Sequence, residues 1–273
     1  AIGMNERDIN DGQTDMSKLK FSPEQLETFE NGGNLLYPDT DWYEYMFNDY
    51  AMQSKSNIGI SGGTDRVRYF LSLGYLSQNG QLKELDQRFD QNFRFDRFNY
   101  RSNLDIDITK STLLKVTLGG RNEMRRTPKD VDNDMWKTAN WAQPMSGSGI
   151  VDGKWITSSK DNINLNLIDP LRSFFGQGSA NNTSIHLNMD IDIIQKLDFV
   201  TQGLRARVKG SYNTDYMHNK KFWSYPEKYE AIVWPEAISD ENPDGVILRK
   251  IADQGIIWAS ENTGQGRNSY MEA

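Results

Sequence analysis

The sequence predicts an all-β fold: an antiparallel, up-and-down sheet of the kind that forms a transmembrane β-barrel segment with long extracellular loops. Three observations lead there. Apolar and polar residues alternate along several runs, of which Phe98–Ile108 (FNYRSNLDIDI) is the longest and clearest. Successive side chains of a strand point to opposite faces, so such a run has one greasy and one wet side. The links between the runs are alternately short and long. No stretch approaches the roughly 18 consecutive apolar residues of a membrane-crossing helix, whereas alternation hides a barrel strand from hydropathy averages.

Composition narrows the class. The chain has 273 residues, 37% apolar and 11% aromatic, with a mean hydropathy of −0.72. That aromatic content is too high for a disordered chain. A net charge of −7 and a pI near 5.0 argue against nucleic acid, which selects basic surfaces. With no cysteine, disulfide scaffolds and thiolate metal sites are excluded. Ala1–Asp15 has no basic start followed by an apolar run, so no signal peptide is read there. The chain starts at Ala, and Arg267–Ala273 (RNSYMEA) reads as a strand just beginning. Both features predict an internal piece of a longer protein.

Along the chain, residues 1–53 read as an extracellular-type loop. Ser22-Pro23-Glu24-Gln25 supplies a hydroxyl N-cap, a first-turn proline and an acid, so a short helix is predicted near 23–30. The aromatic cluster Tyr37–Phe47 reads equally as a packed loop or a binding surface. Residues 54–273 read as a partial barrel, with strands near 54–62, 66–76, 94–108, 113–124, 183–194, 203–214 and 267–273. Gly62-Gly63-Thr64-Asp65 is read as a tight turn. Val67–Tyr75 is nine residues long, matching the ~9–11 that cross a bilayer at a tilt. The links run short, medium (77–93), short (109–112), very long (125–180), shortish (194–203) and very long (214–266). Short turns at one end and long loops at the other are the asymmetry of outer-membrane barrels, and two long irregular stretches are unusual in a compact soluble domain.

The wording of these strands resembles the SusC/RagA family of TonB-dependent outer-membrane transporters of Bacteroidota. The resemblance is carried by DTDW (Asp39–Trp42), SGG (Ser61–Gly63), YFLSLGYLSQNG (Tyr69–Gly80) and RFNYRSNLDIDIT (Arg97–Thr109), in that order. A later patch, Leu187–Asn213, and the SYMEA ending fit the same pattern. The resemblance implies part of a 22-stranded plugged barrel, the plug domain being absent from this chain. It implies TonB-dependent nutrient import, as glycan uptake or peptide uptake, without catalysis or cofactor. The implied partners are a SusD-like surface lipoprotein, outer-membrane lipid, an oligosaccharide or peptide substrate and the TonB-ExbB-ExbD complex, which is contacted through missing N-terminal parts. The implied location is the cell outer membrane.

Candidate chemistry is sparse. Asp130, Asp132 and Asp134 open like a calcium loop, but Met135 and Trp141 stand where that loop needs Gly and an acid. His186 reads as a water-exposed strand residue. Asp105/Asp107 and Asp190/Asp192 have the spacing of a glycosidase pair, yet pairing with Arg101, Arg205 or Lys209 explains them more simply. No catalytic, cofactor or metal residue is assigned. The loop tryptophans Trp136, Trp141, Trp155, Trp223 and Trp234 are the candidate substrate or lid contacts, because indole faces stack on sugars and long loops carry binding sites. Tyr69, Tyr75, Phe98, Tyr100 and Tyr212 are read as interfacial girdles. The competing readings are a soluble all-β carbohydrate-binding module and, more remotely, a β-rich glycosidase.

Overall fold

The computed structural model describes all residues except 86, 87, 130, 132, 177 and 273; the side chains of 16, 133 and 134 are likewise not described. Its strands are β1 (Gln53–Gly63), β2 (Val67–Asn79), β3 (Arg94–Asp107), β4 (Thr112–Pro128), β5 (Gly147–Val151), β6 (Lys154–Thr157), β7 (Ser179–Lys196), β8 (Arg205–Trp223), β9 (Lys228–Val233), β10 (Val246–Ala252) and β11 (Trp258–Glu272). Its α-helices are α1 (Ile2–Asn10), α2 (Pro23–Glu30), α3 (Trp42–Met46), α4 (Asn133–Trp141) and α5 (Pro170–Phe174).

Seven strands form one sheet in the order β1-β2-β3-β4-β7-β8-β11, every neighbour antiparallel. The all-β, up-and-down expectation therefore holds. Alternation places one apolar row beside the next: Ile60–Leu71 on β1 and β2, then Leu118–Met189–Tyr212 on β4, β7 and β8. A flanking row runs Tyr69–Leu104–Val116–Ile191. None of the described residues covers this face: Ile58, Leu71, Leu73, Phe98, Ile193 and Val208 are all exposed. Toward the loop end the band closes with Tyr75 stacked on Phe98 at 4.6 Å. Further down, Tyr100 lies over Gly120, where an added Cβ would meet its hydroxyl.

The β1–β2 turn differs from expectation. β1 continues through Gly62 and Gly63, and the reversal falls at 64–66, where the Thr64 hydroxyl accepts from Val67 N at 3.2 Å. Gly63 is needed for a different reason: a Cβ there would meet the Val67 carbonyl. The long links also differ from the irregular loops predicted. β8 runs on to Trp223 and β11 begins at Trp258, so pairing persists through much of 214–266. Beyond the apolar band both faces are wet, so the ladder continues while the alternation that reveals it disappears. Within 125–180 lie α4, β5, β6 and α5, each too short to show a period. Ahead of β1, the helix at 23–30 carries a capping box, Gln25 N donating to Ser22 Oγ and Ser22 N to Gln25 Oε1; α1 and α3 are additional.

The segments outside the large sheet gather at its loop end, since residues 1–52, 80–93, 129–178 and 224–257 all adjoin that end. They build a cap with its own four-stranded sheet, β10-β9-β6-β5. Hydrophobic burial is concentrated here. Trp42, Met46, Leu82, Met135, Trp155, Leu171 and Phe174 form one cluster, and Phe21, Met145 and Ile163 another. Asp41 caps α3 by accepting from Tyr43 N and Glu44 N, each at 3.0 Å, and so aims Trp42 and Met46 inward.

Charges lock the small sheet. Arg249 Nε donates to Glu230 Oε1 at 2.7 Å and Arg249 Nη2 to Asp161 Oδ2 at 2.8 Å. Lys250 Nζ meets Glu227 Oε2 at 2.9 Å while the Tyr229 hydroxyl donates to Glu227. The Tyr229 hydroxyl first, then Lys250, hold the Glu227 carboxyl below its ordinary value of 4.5. Two outcomes are expected. Phe174→Ala should destabilise the cap by about 3–5 kcal/mol, read as lost amide-exchange protection in α4 and α5 with β3 and β4 unchanged. A carboxyl with a lowered folded pKa stabilises above its ordinary value and loses that contribution as pH falls through the lowered one. Protection factors in β9 and β10, corrected for the intrinsic exchange rate at each pH, should therefore fall as pH drops below 4.5, and Glu227→Gln should flatten that dependence.

Candidate functional site

Two surfaces face away from the uncovered apolar side: the polar face of the large sheet and the cap above its loop end. On the polar face, one row reads Arg68–Asp105–Lys115–Asp192–Lys209–Glu272 across six strands, alternating in sign at every step. Opposite charges directly across strands favour this register. The carboxylates considered for glycoside chemistry are taken up by cations: Asp107 by Arg68 at 2.9 Å, Asp105 by Lys115 at 3.8 Å, Asp190 by Lys209 at 3.6 Å and Asp192 by Arg207 at 2.7 Å. Of the partners expected from sequence only Lys209 serves. Arg101 instead donates to Asn103 at 3.4 Å, because the register sets Ser72 and Gly119 beside it.

Midway along this face is an open cleft of ≈530 Å³ lined by Arg101, Arg121, His186, Asn188 and Asp215, among others. Arg121 Nη2 lies 3.2 Å from His186 Nε2, and His186 Nδ1 pairs with Asp215. His186 is thus a linker in a polar chain. His218 lies on the opposite face, 2.5 Å from Glu261. Among the described residues no group of three His, Asp or Glu could hold a metal ion; the calcium-like reading falls on 130, 132 and the side chain of 134, outside the described residues.

The five tryptophans separate by environment. Trp136, on α4, is half-exposed, with its ring stacked on Phe47 and Phe93 and edge-on to Phe174 at 5.4 Å. Trp141, at the end of the same helix, and Trp234, before β10, are exposed. Trp223 ends β8 opposite Trp258, with Lys129 Nζ 5.3 Å above its ring. Trp155 is only 2% exposed. It packs in the cap core with Lys228 Nζ 4.8 Å over its ring, and Lys228 is itself held by Asp169 at 2.6 Å.

Sequence reasoning did not single out the residues that surround Trp155. Gln91, Ser224 and Gln254 come from two different links and belong to no periodic run. The small sheet left a weak signal in KYEAIV and VILRKIA, short apolar-rich runs of strand length.

No known family's sequence profile matches the chain. Over 85 residues it is 31% identical to "TonB-dependent receptor P3" of Formosa agariphila, a match covering 31% of this chain and 8% of that protein. Among solved structures, the RagAB peptide importer in its open-open state aligns with a TM-score of 0.42 and 13% identity over 99% of this chain and 39% of its own. The RagAB peptide transporter aligns at 0.38 and 13%, over 86% and 33%. The chain thus spans a small part of the curated receptor and well under half of these structures. Over those 85 residues this chain is similar to a TonB-dependent receptor, in keeping with the resemblance carried by the motifs of β2 and β3.

Proposed function

We propose that the chain is a wall segment of an outer-membrane β-barrel that imports nutrients in a TonB-dependent manner, with the apolar face toward lipid and the polar face toward the transport lumen. One observation carries this reading. Among the described residues, a seven-stranded sheet leaves its apolar face uncovered, while the second sheet lies among the links of the loop end. A soluble sandwich would bury that face against a second sheet, and none is packed there. The extent also fits: Val67 to Tyr75 on β2 and Phe98 to Ile106 on β3 are each bilayer-crossing lengths.

Several consequences belong to the same proposal. In hydrocarbon every backbone group needs a partner, so β1 and β11, exposed along their whole length, pair with further strands of the barrel. The cap lies on the extracellular side, where exposed Trp136, Trp141 and Trp234 and half-buried Trp223 contact an oligosaccharide or peptide solute or a SusD-like lipoprotein lid. Energy comes from the TonB-ExbB-ExbD complex through other parts of the protein. The chain's carboxylates serve pairing and lumen polarity, and no reaction is catalysed.

The test contrasts adjacent residues of β4 that face opposite sides. Leu118→Arg is expected to lower folding stability in a bilayer by about 2–4 kcal/mol, and Thr117→Arg by less than about 1, measured by urea titration of the parent protein in lipid vesicles. Equal effects, or a monodisperse detergent-free monomer of the 273-residue chain, would sink the barrel reading.

A further inference from the structure

The alternating charge row of the polar face does not continue toward the loop end. Beyond it, β3 and β4 bring Arg97, Arg101, Arg121 and Arg125 to this face against a single acid, Glu123. The register sets no carboxylate beside Arg101. Its cross-strand neighbours are Ser72, a small side chain, and Gly119, which has none. Arg121, two residues beyond Gly119 on β4, is its diagonal neighbour, a relation that spans about 7–8 Å between strands. Both arginines line the open cleft of ≈530 Å³, a volume within the roughly 300–1,000 Å³ of small-molecule sites.

The charged groups that line the cleft are Arg101, Arg121, His186, Asp190 and Asp215. Both acids are engaged, Asp190 by Lys209 at 3.6 Å and Asp215 by His186. Arg121 is partly engaged, its Nε 3.5 Å from Glu123 Oε1 and its Nη2 3.2 Å from His186 Nε2. Arg101 meets no carboxylate among the described residues. Its Nε donates to Asn103 Oδ1 at 3.4 Å, longer than an ordinary N–H···O bond. Arg101 and Arg121 are both exposed, so their guanidinium groups are reached from the cleft. A guanidinium presents a planar fork of donors that takes a carboxylate in bidentate fashion. With the acids paired and Arg101 unpaired, the surplus in the cleft is positive, and it selects an anion.

We propose that this cleft binds a carboxylate carried by a solute, with Arg101 as its principal contact and Arg121 as the second. The carboxylate belongs to an acidic sugar or to a peptide, so the solute class is acidic. Asn99, Thr117 and Asn188, which line the same cleft, offer neutral hydrogen-bonding groups to the rest of it. That the bound solute is then carried across a membrane rests on the import reading; the binding itself does not.

Saturation-transfer NMR on the parent protein in detergent micelles tests this with two matched pairs of probes. D-glucuronate is compared with D-glucose, and N-acetylglycine with its amide, so that each pair differs chiefly in charge. At least one carboxylate is expected to bind roughly 5-fold or more tightly than its neutral counterpart. Which one does so separates sugar from peptide as the source. Arg101→Gln should weaken that binding roughly 5- to 10-fold, the loss of one charge-assisted contact. Lys115→Gln, which removes a cation of the same face outside the cleft, should change it by less than about 2-fold. The charge preference is read on the unsubstituted protein, so it decides the matter even if Arg101→Gln does not fold. Three results overturn the site: equal binding within both pairs, equal losses in the two variants, or binding of neither carboxylate, as when an acidic side chain of the parent protein fills the cleft. Those outcomes leave the Leu118/Thr117 contrast intact, so a failed cleft and a failed barrel remain distinct results.

Discussion

Strand register is the constraint on which everything else depends. Because side chains alternate with a period of two, a slip of one residue would move every apolar side chain of a strand to the polar face. Seven strands share one unbroken register, and two devices oppose a slip. Tight reversals such as the one after Gly63 fix strand pairs locally. The charge row from Arg68 to Glu272 adds a wider constraint, since a two-residue shift that brings Lys115 opposite Asn103 would leave Asp105 facing Leu113 and break the alternation along the row. Individually such exposed pairs contribute little; their value lies in ranking registers.

The register also explains why the hydrophobic core is elsewhere. A single sheet has nothing to bury its apolar face against, so packing is left to the segments that leave it. Trp42 and Met46 on α3, Met135 on α4 and Leu171 and Phe174 on α5 converge with Trp155 of the small sheet. The Trp42 indole donates to the Gln143 carbonyl at 2.8 Å, so this tryptophan is satisfied where Trp155 is not. The cap is therefore organised as a packed body, and its shape is set by links far apart in sequence.

What the sequence revealed follows the same division. Strand centres were legible because Val67–Tyr75, Phe98–Ile108 and Ile185–Ile193 have two chemically different sides. Strand extensions were not: residues such as Thr214, Asp215, His218 and Lys220 are polar on both faces, although β8 pairs there as regularly as below. The cap escaped for another reason. Its elements are four to nine residues long, and tertiary contacts hold them, not local period. Trp155 was visible as a tryptophan on a link, but its burial and its juxtaposition with Gln91 arise only when the links fold against one another.

The apolar face gives the two halves a common direction. Apolar area in contact with water costs about 25 cal/mol per Å² relative to burial, so in solution this face would be a standing liability spread over seven strands. Hydrocarbon removes that cost without requiring a second sheet, and it penalises only groups that cannot satisfy themselves. The band ends where Tyr75 stacks on Phe98, and Asp96 with Arg94 follows beyond it, paired at 2.8 Å. Aromatic rings followed by paired charges are the sequence of environments found on leaving a bilayer. The cap begins on that same side. On the proposed barrel reading, the asymmetry first seen as unequal link lengths follows from one boundary: below it the sheet needs no core, and above it the chain must build one.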